Sequence, residues 1–206
     1  MSNKEFSALA RSLSPALPSF AIKGPLLLIC PMNGILRGLL FESHSHSSTL
    51  FYVWVFFLPL CVPTRNLALN LGRRISSPGG GPWDSAQKGL IETLIEAVKR
   101  EGLPFLSRVE SIGDLADSAG SLPSKGPYTL QAIAYSLARD GKFARAVTAL
   151  DEMMQSLDGK IAWQLEMAKR ANALKSKLLS DPAGALRQLQ DWEAESLGNL
   201  GLAGVC

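Results

Sequence analysis

The sequence predicts an α+β protein: a four-stranded antiparallel meander sheet with an N-terminal helix, followed by a helical C-terminal part. Apolar runs in the first third are rich in β-branched and aromatic residues and are separated by short turn signals. After the Ser-, Pro- and Gly-rich segment 76–82, apolar residues recur at helical spacing instead. A hydrophobic content of 47% in 206 residues is sufficient for a substantial core.

The opening helix is predicted from Phe6, Leu9, Ala10 and Leu13, which recur at helical spacing and stop before Pro15. Four strands are predicted to follow, and their short connections favour a meander. They are Pro25–Cys30, Ile35–Ser43, Thr49–Leu58 and Asn66–Ile75. We expect the helix to cover one face of this sheet.

The run Leu50–Val62, LFYVWVFFLPLCV, decides between a membrane segment and a strand. A membrane helix needs about 20 apolar residues, and this shorter run is broken by Pro59. Its aromatic and β-branched content favours a central strand, and no membrane association is expected. Because both faces of the strand are apolar, each needs a cover. The second cover could come from the C-terminal helices or from a partner chain.

The segment 76–82 marks the predicted boundary between a sheet domain, 1–78, and a helical region, 83–206, which either packs on the sheet as one unit or extends from it. In the helical region, Asp84 is a candidate N-cap for a helix that ends near Glu101. A later pair of helices is predicted over Trp163–Leu179 and Pro182–Leu197, with Asp181 as the cap.

The segment 130–154, LQAIAYSLARDGKFARAVTALDEMM, resembles one tetratricopeptide helical hairpin, near 128–158. Small residues Ala134 and Ala146 would let two antiparallel helices approach, and Gly141 would form the turn. The resemblance implies a role in binding peptides or proteins; a packing role for the two helices is the alternative. The strand-rich part, with GILRGLLFE, FYVWVFFLPL and LNLGRR, is similar to uncharacterised bacterial α+β proteins, which implies no activity.

Two groups of polar residues are candidate sites. Glu42, His44 and His46 alternate in E-S-H-S-H, so an extended chain would point them to one side, as a metal site requires; a polar hairpin loop is the alternative interpretation. Arginines near strand ends could converge on an acidic or phosphate-bearing partner, or could simply protect sheet edges from pairing. These are Arg37, Arg65, Arg73 and Arg74, and Trp54 joins them as a candidate partner contact.

The sequence contains no nucleophile–histidine arrangement that can be assembled from spacing, so no catalytic residue and no cofactor is predicted. The three cysteines lack C-x-x-C spacing and are expected to be unpaired, which favours a reducing, cytoplasmic location. The N-terminus lacks the apolar core of a secretory signal. A net charge of only +3 does not favour nucleic acid as a partner.

The function predicted from these patterns is non-enzymatic protein binding, as an adaptor or an immunity-type inhibitor in a bacterium. The immunity-type role rests only on size and the lack of catalytic groups. Two alternatives are a metal-dependent enzyme that uses Glu42, His44 and His46, and a binder of nucleic acid or an acidic partner that uses the arginines.

Overall fold

The computed structural model describes the whole chain, Met1–Cys206, and it is an α+β fold built on one antiparallel sheet. The strands are β1 (Phe20–Lys23), β2 (Leu26–Ile29), β3 (Ile35–Ser43), β4 (Leu50–Pro59), β5 (Gly72–Ile75) and β6 (Trp83–Asp84). The helices are α1 (Asn3–Leu13), α2 (Leu90–Ala97), α3 (Leu103–Leu106), α4 (Ile112–Gly120), α5 (Pro127–Arg139), α6 (Phe143–Gln155), α7 (Ala162–Ser180) and α8 (Pro182–Asn199). A short 3₁₀ turn, Ser14–Ala16, follows α1.

The sheet is larger than predicted. Its order is β1-β2-β3-β4-β5, and β6 pairs with the start of β4 on the same edge as β5. The prediction of four strands is therefore wrong, since β1 and β6 were not anticipated. Gly24, at φ +57°, forms the tight turn that joins β1 to β2.

The predicted strand Asn66–Ile75 is correct only for its last four residues. Leu67 and Leu69 pack against one hydrophobic cluster, whereas Leu71 belongs to the other. The segment thus crosses from one side of the sheet to the other before β5 begins. Leu67, Leu69 and Leu71, which alternate in the sequence as if on one face of a strand, therefore do not share a face.

The opening helix is confirmed as α1. Ser2 and Glu5 form a capping box, in which the Ser2 hydroxyl accepts from the Glu5 N–H and the Glu5 carboxylate accepts from the Ser2 N–H. Phe6 packs against the sheet, with its ring centroid 6.1 Å from that of Phe41 and 5.9 Å from that of Phe51.

The helix predicted from Asp84 to Glu101 differs at both ends. Asp84 belongs to β6, where it pairs with Leu50 of β4, and α2 begins six residues later, at Leu90. The helix does not end at Gly102, because a wider π-type turn, Val98–Gly102, connects α2 to α3. Pro104 accounts for this turn, since proline has no N–H for a regular helical bond and its ring crowds the preceding turn.

The later helices follow the predicted boundaries closely. In the α5–α6 hairpin, Ala134 and Ala146 are fully buried and Gly141 occupies the turn at φ +77°. At the start of α8, the Asp181 carboxylate accepts a 2.9 Å hydrogen bond from the Gly184 N–H, and Pro182 is the first helical residue. None of the helices combines the length and apolar character required to cross a bilayer.

The two faces of the sheet are defined by alternate residues of β4. The first face, with Phe51, Val53, Val55 and Phe57, lies in a large hydrophobic cluster that includes buried residues from every helix. The second face, with Tyr52, Trp54, Phe56 and Leu58, has a small cluster around Phe56 and Leu58 only. Leu202 is buried in that small cluster, so the segment after α8 covers part of the second face.

A disulfide bond holds this covering segment. Cys30, directly after β2, is bonded to Cys206, and Cys61 is free and buried. The prediction of three unpaired cysteines is therefore wrong, because residues 176 positions apart meet when the segment after α8 returns to the sheet. Since structural disulfides persist mainly in oxidising compartments, cysteine content no longer favours a cytoplasmic location.

Candidate functional site

The uncovered half of the second face presents a group of aromatic and charged side chains on three adjacent strands. We call this group the Trp54 cluster; it consists of Leu40, Glu42, Tyr52, Trp54 and Arg74. Strand register brings them together, because Trp54 lies opposite Leu40 on β3 and opposite Arg74 on β5, while Tyr52 lies opposite Glu42.

The side chains of the Trp54 cluster hold one another in place. The Arg74 guanidinium carbon lies 3.6 Å from the centroid of the Tyr52 ring and 4.8 Å from that of Trp54. The Trp54 indole Nε1 donates a 2.7 Å hydrogen bond to Glu42 Oε2. That carboxylate oxygen is 4.0 Å from Arg74 Nη2, and both charged side chains are nearly half exposed. The cluster is thus ordered, partly open to solvent and internally balanced in charge.

Two other predicted partner-binding residues lie on the first face. Arg37 Nη1 donates to the Val109 carbonyl oxygen at 2.8 Å, which ties β3 to the chain after α3. Arg73 Nη2 donates to the Glu101 carbonyl oxygen at 3.2 Å, and its guanidinium carbon lies 5.5 Å from the centroid of the Phe105 ring. Arg37 contributes to packing between sheet and helices, whereas Arg73 is exposed at the edge of the sheet.

Arg65 lies in the connection between β4 and β5, where it lines a polar depression with Arg170 and Glu195. The four predicted arginines therefore occupy three places: the first face, the second face and this loop. The structure brings Arg74 and Trp54 together and separates them from Arg37, Arg65 and Arg73.

The residues proposed for a metal site occupy the β3–β4 hairpin. Glu42 is engaged by Trp54 and lies near Arg74. His44 Nδ1 accepts a 3.2 Å hydrogen bond from the His46 backbone N–H, and the His44 ring centroid lies 5.4 Å from that of Tyr52. No group of three or more His, Cys, Asp or Glu side chains in the chain is placed to hold a metal ion.

Cys61 is the only free thiol. It is fully buried in the large hydrophobic cluster, and burial is the main reason that its pKa is raised above the ordinary value, with the Glu193 carboxylate adding to the effect. A thiol that resists ionisation and is closed to solvent is a poor nucleophile. Cys61 therefore acts as a small apolar core residue.

A second exposed aromatic surface lies on the helical part. Tyr128, at the start of α5, stacks on Trp163, at the start of α7, with ring centroids 5.0 Å apart and planes 7° apart. The side chains are 52% and 43% exposed, more than any aromatic residue of the Trp54 cluster. Leu165 nearby is 50% exposed.

The sequence analysis did not identify Tyr52 and Glu42 as neighbours of Trp54 on one face of the sheet. The signal that could have found them is cross-strand pairing, because the predicted β3–β4 hairpin fixes which residues face one another once its loop is placed. The position of Arg74 depended on the register of β5, which begins at Gly72 rather than at Asn66, so the predicted strand bounds do not give its partners.

No protein-family model, curated protein or solved structure matches this chain. The resemblance of 130–154 to a tetratricopeptide hairpin, and that of the strand-rich part to bacterial α+β proteins, accordingly stay predictions.

Proposed function

We propose that this protein is a non-enzymatic protein-binding module whose partner docks on the Trp54 cluster. The observation that carries the proposal is an ordered set of Trp, Tyr and Arg side chains on the half of a sheet face that nothing in the chain covers. These three residue types are the ones most enriched at the energetic centres of protein interfaces. An adaptor or an immunity-type inhibitor in a bacterium would both use such a surface.

The internal contacts of the cluster favour binding for an entropic reason. Side chains that must be immobilised on association lower the affinity, by roughly 0.5–1.5 kcal/mol for each flexible one. Arg74 already rests on Tyr52, and the Trp54 indole is already hydrogen bonded to Glu42. The partner therefore meets a largely pre-organised surface.

The charge balance of the cluster bears on the class of partner. Glu42 lies beside Arg74, so the surface has no net positive charge to attract a phosphate backbone. The arginines outside the cluster are dispersed. This arrangement favours a protein partner with a mixed polar and apolar surface over nucleic acid.

The experiment compares capture of partners by three forms of the tagged full-length chain from a bacterial lysate, quantified by mass spectrometry. We expect Trp54→Ala to lose proteins that the wild type enriches. Trp163→Ala removes the other exposed tryptophan described above, and it is the matched control that should retain them. Equal enrichment by wild type and Trp54→Ala would contradict the proposal.

We also propose that the α5–α6 hairpin is tetratricopeptide-like. Its support is the complete burial of Ala134 and Ala146 at the helix contact, with a glycine in the turn. If this hairpin and α7 carry the binding surface instead, Trp163→Ala will lose the partner and Trp54→Ala will keep it. Ala146→Arg tests the packing: a long charged side chain cannot fit between the helices, so unchanged thermal stability would contradict the tetratricopeptide-like arrangement.

A further inference from the structure

An apolar cleft of about 220 Å³ opens on the first-face side of the sheet, between β5 and the helices α3 and α4. Its floor consists of side chains that are less than 10% exposed: Phe57, Leu71, Val109, Leu115 and Ala119. For comparison, an apolar protein cavity of about 150 Å³ can hold benzene. The cleft therefore has room for a benzene-sized ring with a short chain.

The rest of the lining is mixed, with Asn70 and Ser118 beside apolar Phe105 and Leu122, and its one charged residue is Arg73. Its guanidinium group is held by the Glu101 carbonyl oxygen and lies over Phe105. No carboxylate lies within ion-pair distance of this guanidinium group. The side chain of Glu101, whose carbonyl oxygen accepts from Arg73, pairs instead with Arg100 at 2.7 Å. Arg74, the next residue, has a carboxylate neighbour on the opposite face.

A positioned guanidinium group with free N–H groups is a strong receptor for a carboxylate. Here it stands at the mouth of a site whose interior is apolar. From this juxtaposition we propose that the cleft binds a small amphiphilic monocarboxylate, with its apolar body on Phe57 and Leu115 and its carboxylate on Arg73. This site is separate from the Trp54 cluster, on the other side of the sheet.

The test measures binding to the full-length chain by calorimetry and by the shift of the thermal unfolding midpoint. The probe is 3-phenylpropanoate; 3-phenylpropan-1-ol has the same apolar body without the charge, and acetate has the charge without the body. A ligand that binds only the folded state raises the midpoint, and its stabilisation grows as RT ln(1 + L/Kd), where L is the concentration of free ligand. We expect 3-phenylpropanoate to raise it, and acetate and the alcohol to have weaker effects.

Variants assign the binding to the cleft. Arg73→Gln should weaken 3-phenylpropanoate binding about tenfold or more, because a charge-assisted pair is lost. Arg108→Gln removes an exposed arginine close to the cleft but outside its lining, and it should bind like the wild type. Ala119→Leu fills the cleft and should abolish binding. If Ala119→Leu does not fold, Ser118→Leu at the half-buried rim serves the same purpose.

The proposal is overturned if no probe binds, or if the filled variant binds 3-phenylpropanoate as well as the wild type. It is also overturned if the alcohol binds equally well and Arg73→Gln has no effect, since the carboxylate would then have no receptor. Trp54→Ala should leave probe binding unchanged, so failure here and failure of the proposed protein-binding function are distinguishable.

Discussion

The two faces of β4 have nearly equal apolar character in sequence but are treated differently by the fold. On the first face Phe51, Val53 and Val55 are completely buried beneath helices. On the second face only the end with Phe56 and Leu58 is buried, and Trp54 at the other end stays partly exposed. Hydrophobicity along a strand therefore does not distinguish a face that is buried in the core from one that stays partly exposed. Whether a face is buried depends on which other parts of the chain pack over it.

The largest expected effect comes from truncating the first face. Phe51→Ala removes a fully buried ring that packs against Phe6 and Phe41, and such changes cost about 3–5 kcal/mol in the free energy of unfolding. Chemical denaturation measures this loss. The matched control is Tyr52→Ala, one residue along on the second face, where loss of the stack with Arg74 should cost about 1 kcal/mol or less. Equal losses at the two positions would contradict the difference between the faces.

The disulfide tests the cover of the second face. Cys206→Ser frees the segment that buries Leu202, and loss of a cross-link that closes a long loop typically costs about 2–4 kcal/mol. Denaturation with and without dithiothreitol measures the effect: reductant should destabilise the wild type and leave Cys206→Ser unchanged. If the unreduced, unfolded wild type reacts with a thiol reagent at all three cysteines, the bond is absent and the prediction fails.

The sequence was sufficient to predict what local patterns encode. The helical spacing of Phe6 and Leu13 located α1, and the Asp181–Pro182 pair located the start of α8, because caps and amphipathic stripes are properties of neighbouring residues. The long strands β3 and β4 were predicted for the same reason. The α+β class followed from these elements.

The features that sequence reasoning missed depend on distant residues. β1 and β6 are short and are defined by their partners, β2 and β4. The Cys30–Cys206 bond forms only when the helical part returns to the sheet, and Arg74 reaches Tyr52 only through the register of β5. The sequence analysis thus named Trp54 and Arg74 as candidate site residues, but it could not predict that they lie together in one cluster.

The exclusion of water from the helices that cover the first face should also make the stability of the protein depend on pH in the alkaline range. Tyr135 on α5 is fully buried and stacks on Trp192, and burial is the main cause that raises its pKa to about 12 from an ordinary value near 10. The unfolded chain therefore releases this proton at lower pH than the folded chain. The resulting stability is fully present below pH 10 and is lost as the pH rises towards 12.

Tyr135→Phe removes this ionisation. Between pH 10 and 12 the free energy of unfolding of the wild type should fall by roughly 2 kcal/mol because of Tyr135, and that of the variant should not show this fall. The free energy of unfolding is measured at several pH values. Near pH 7 the substitution should cost only about 1 kcal/mol, because phenylalanine keeps the buried ring and its stack on Trp192. A slope in alkali that is the same in both proteins would show that water reaches Tyr135.

The smallest effect on stability is expected where the proposed functional effect is largest. Trp54→Ala removes a partly exposed ring, one hydrogen bond to Glu42 and a contact with Arg74, and surface interactions of this kind contribute about 1 kcal/mol or less each. Chemical denaturation should therefore show a modest change beside that of Phe51→Ala. A core residue would lower stability and binding together, because loss of folded protein lowers both. If a substitution abolishes partner binding while the protein stays folded, the residue acts at the interface. A severe loss of stability in Trp54→Ala would instead show that this half of the second face is part of the core.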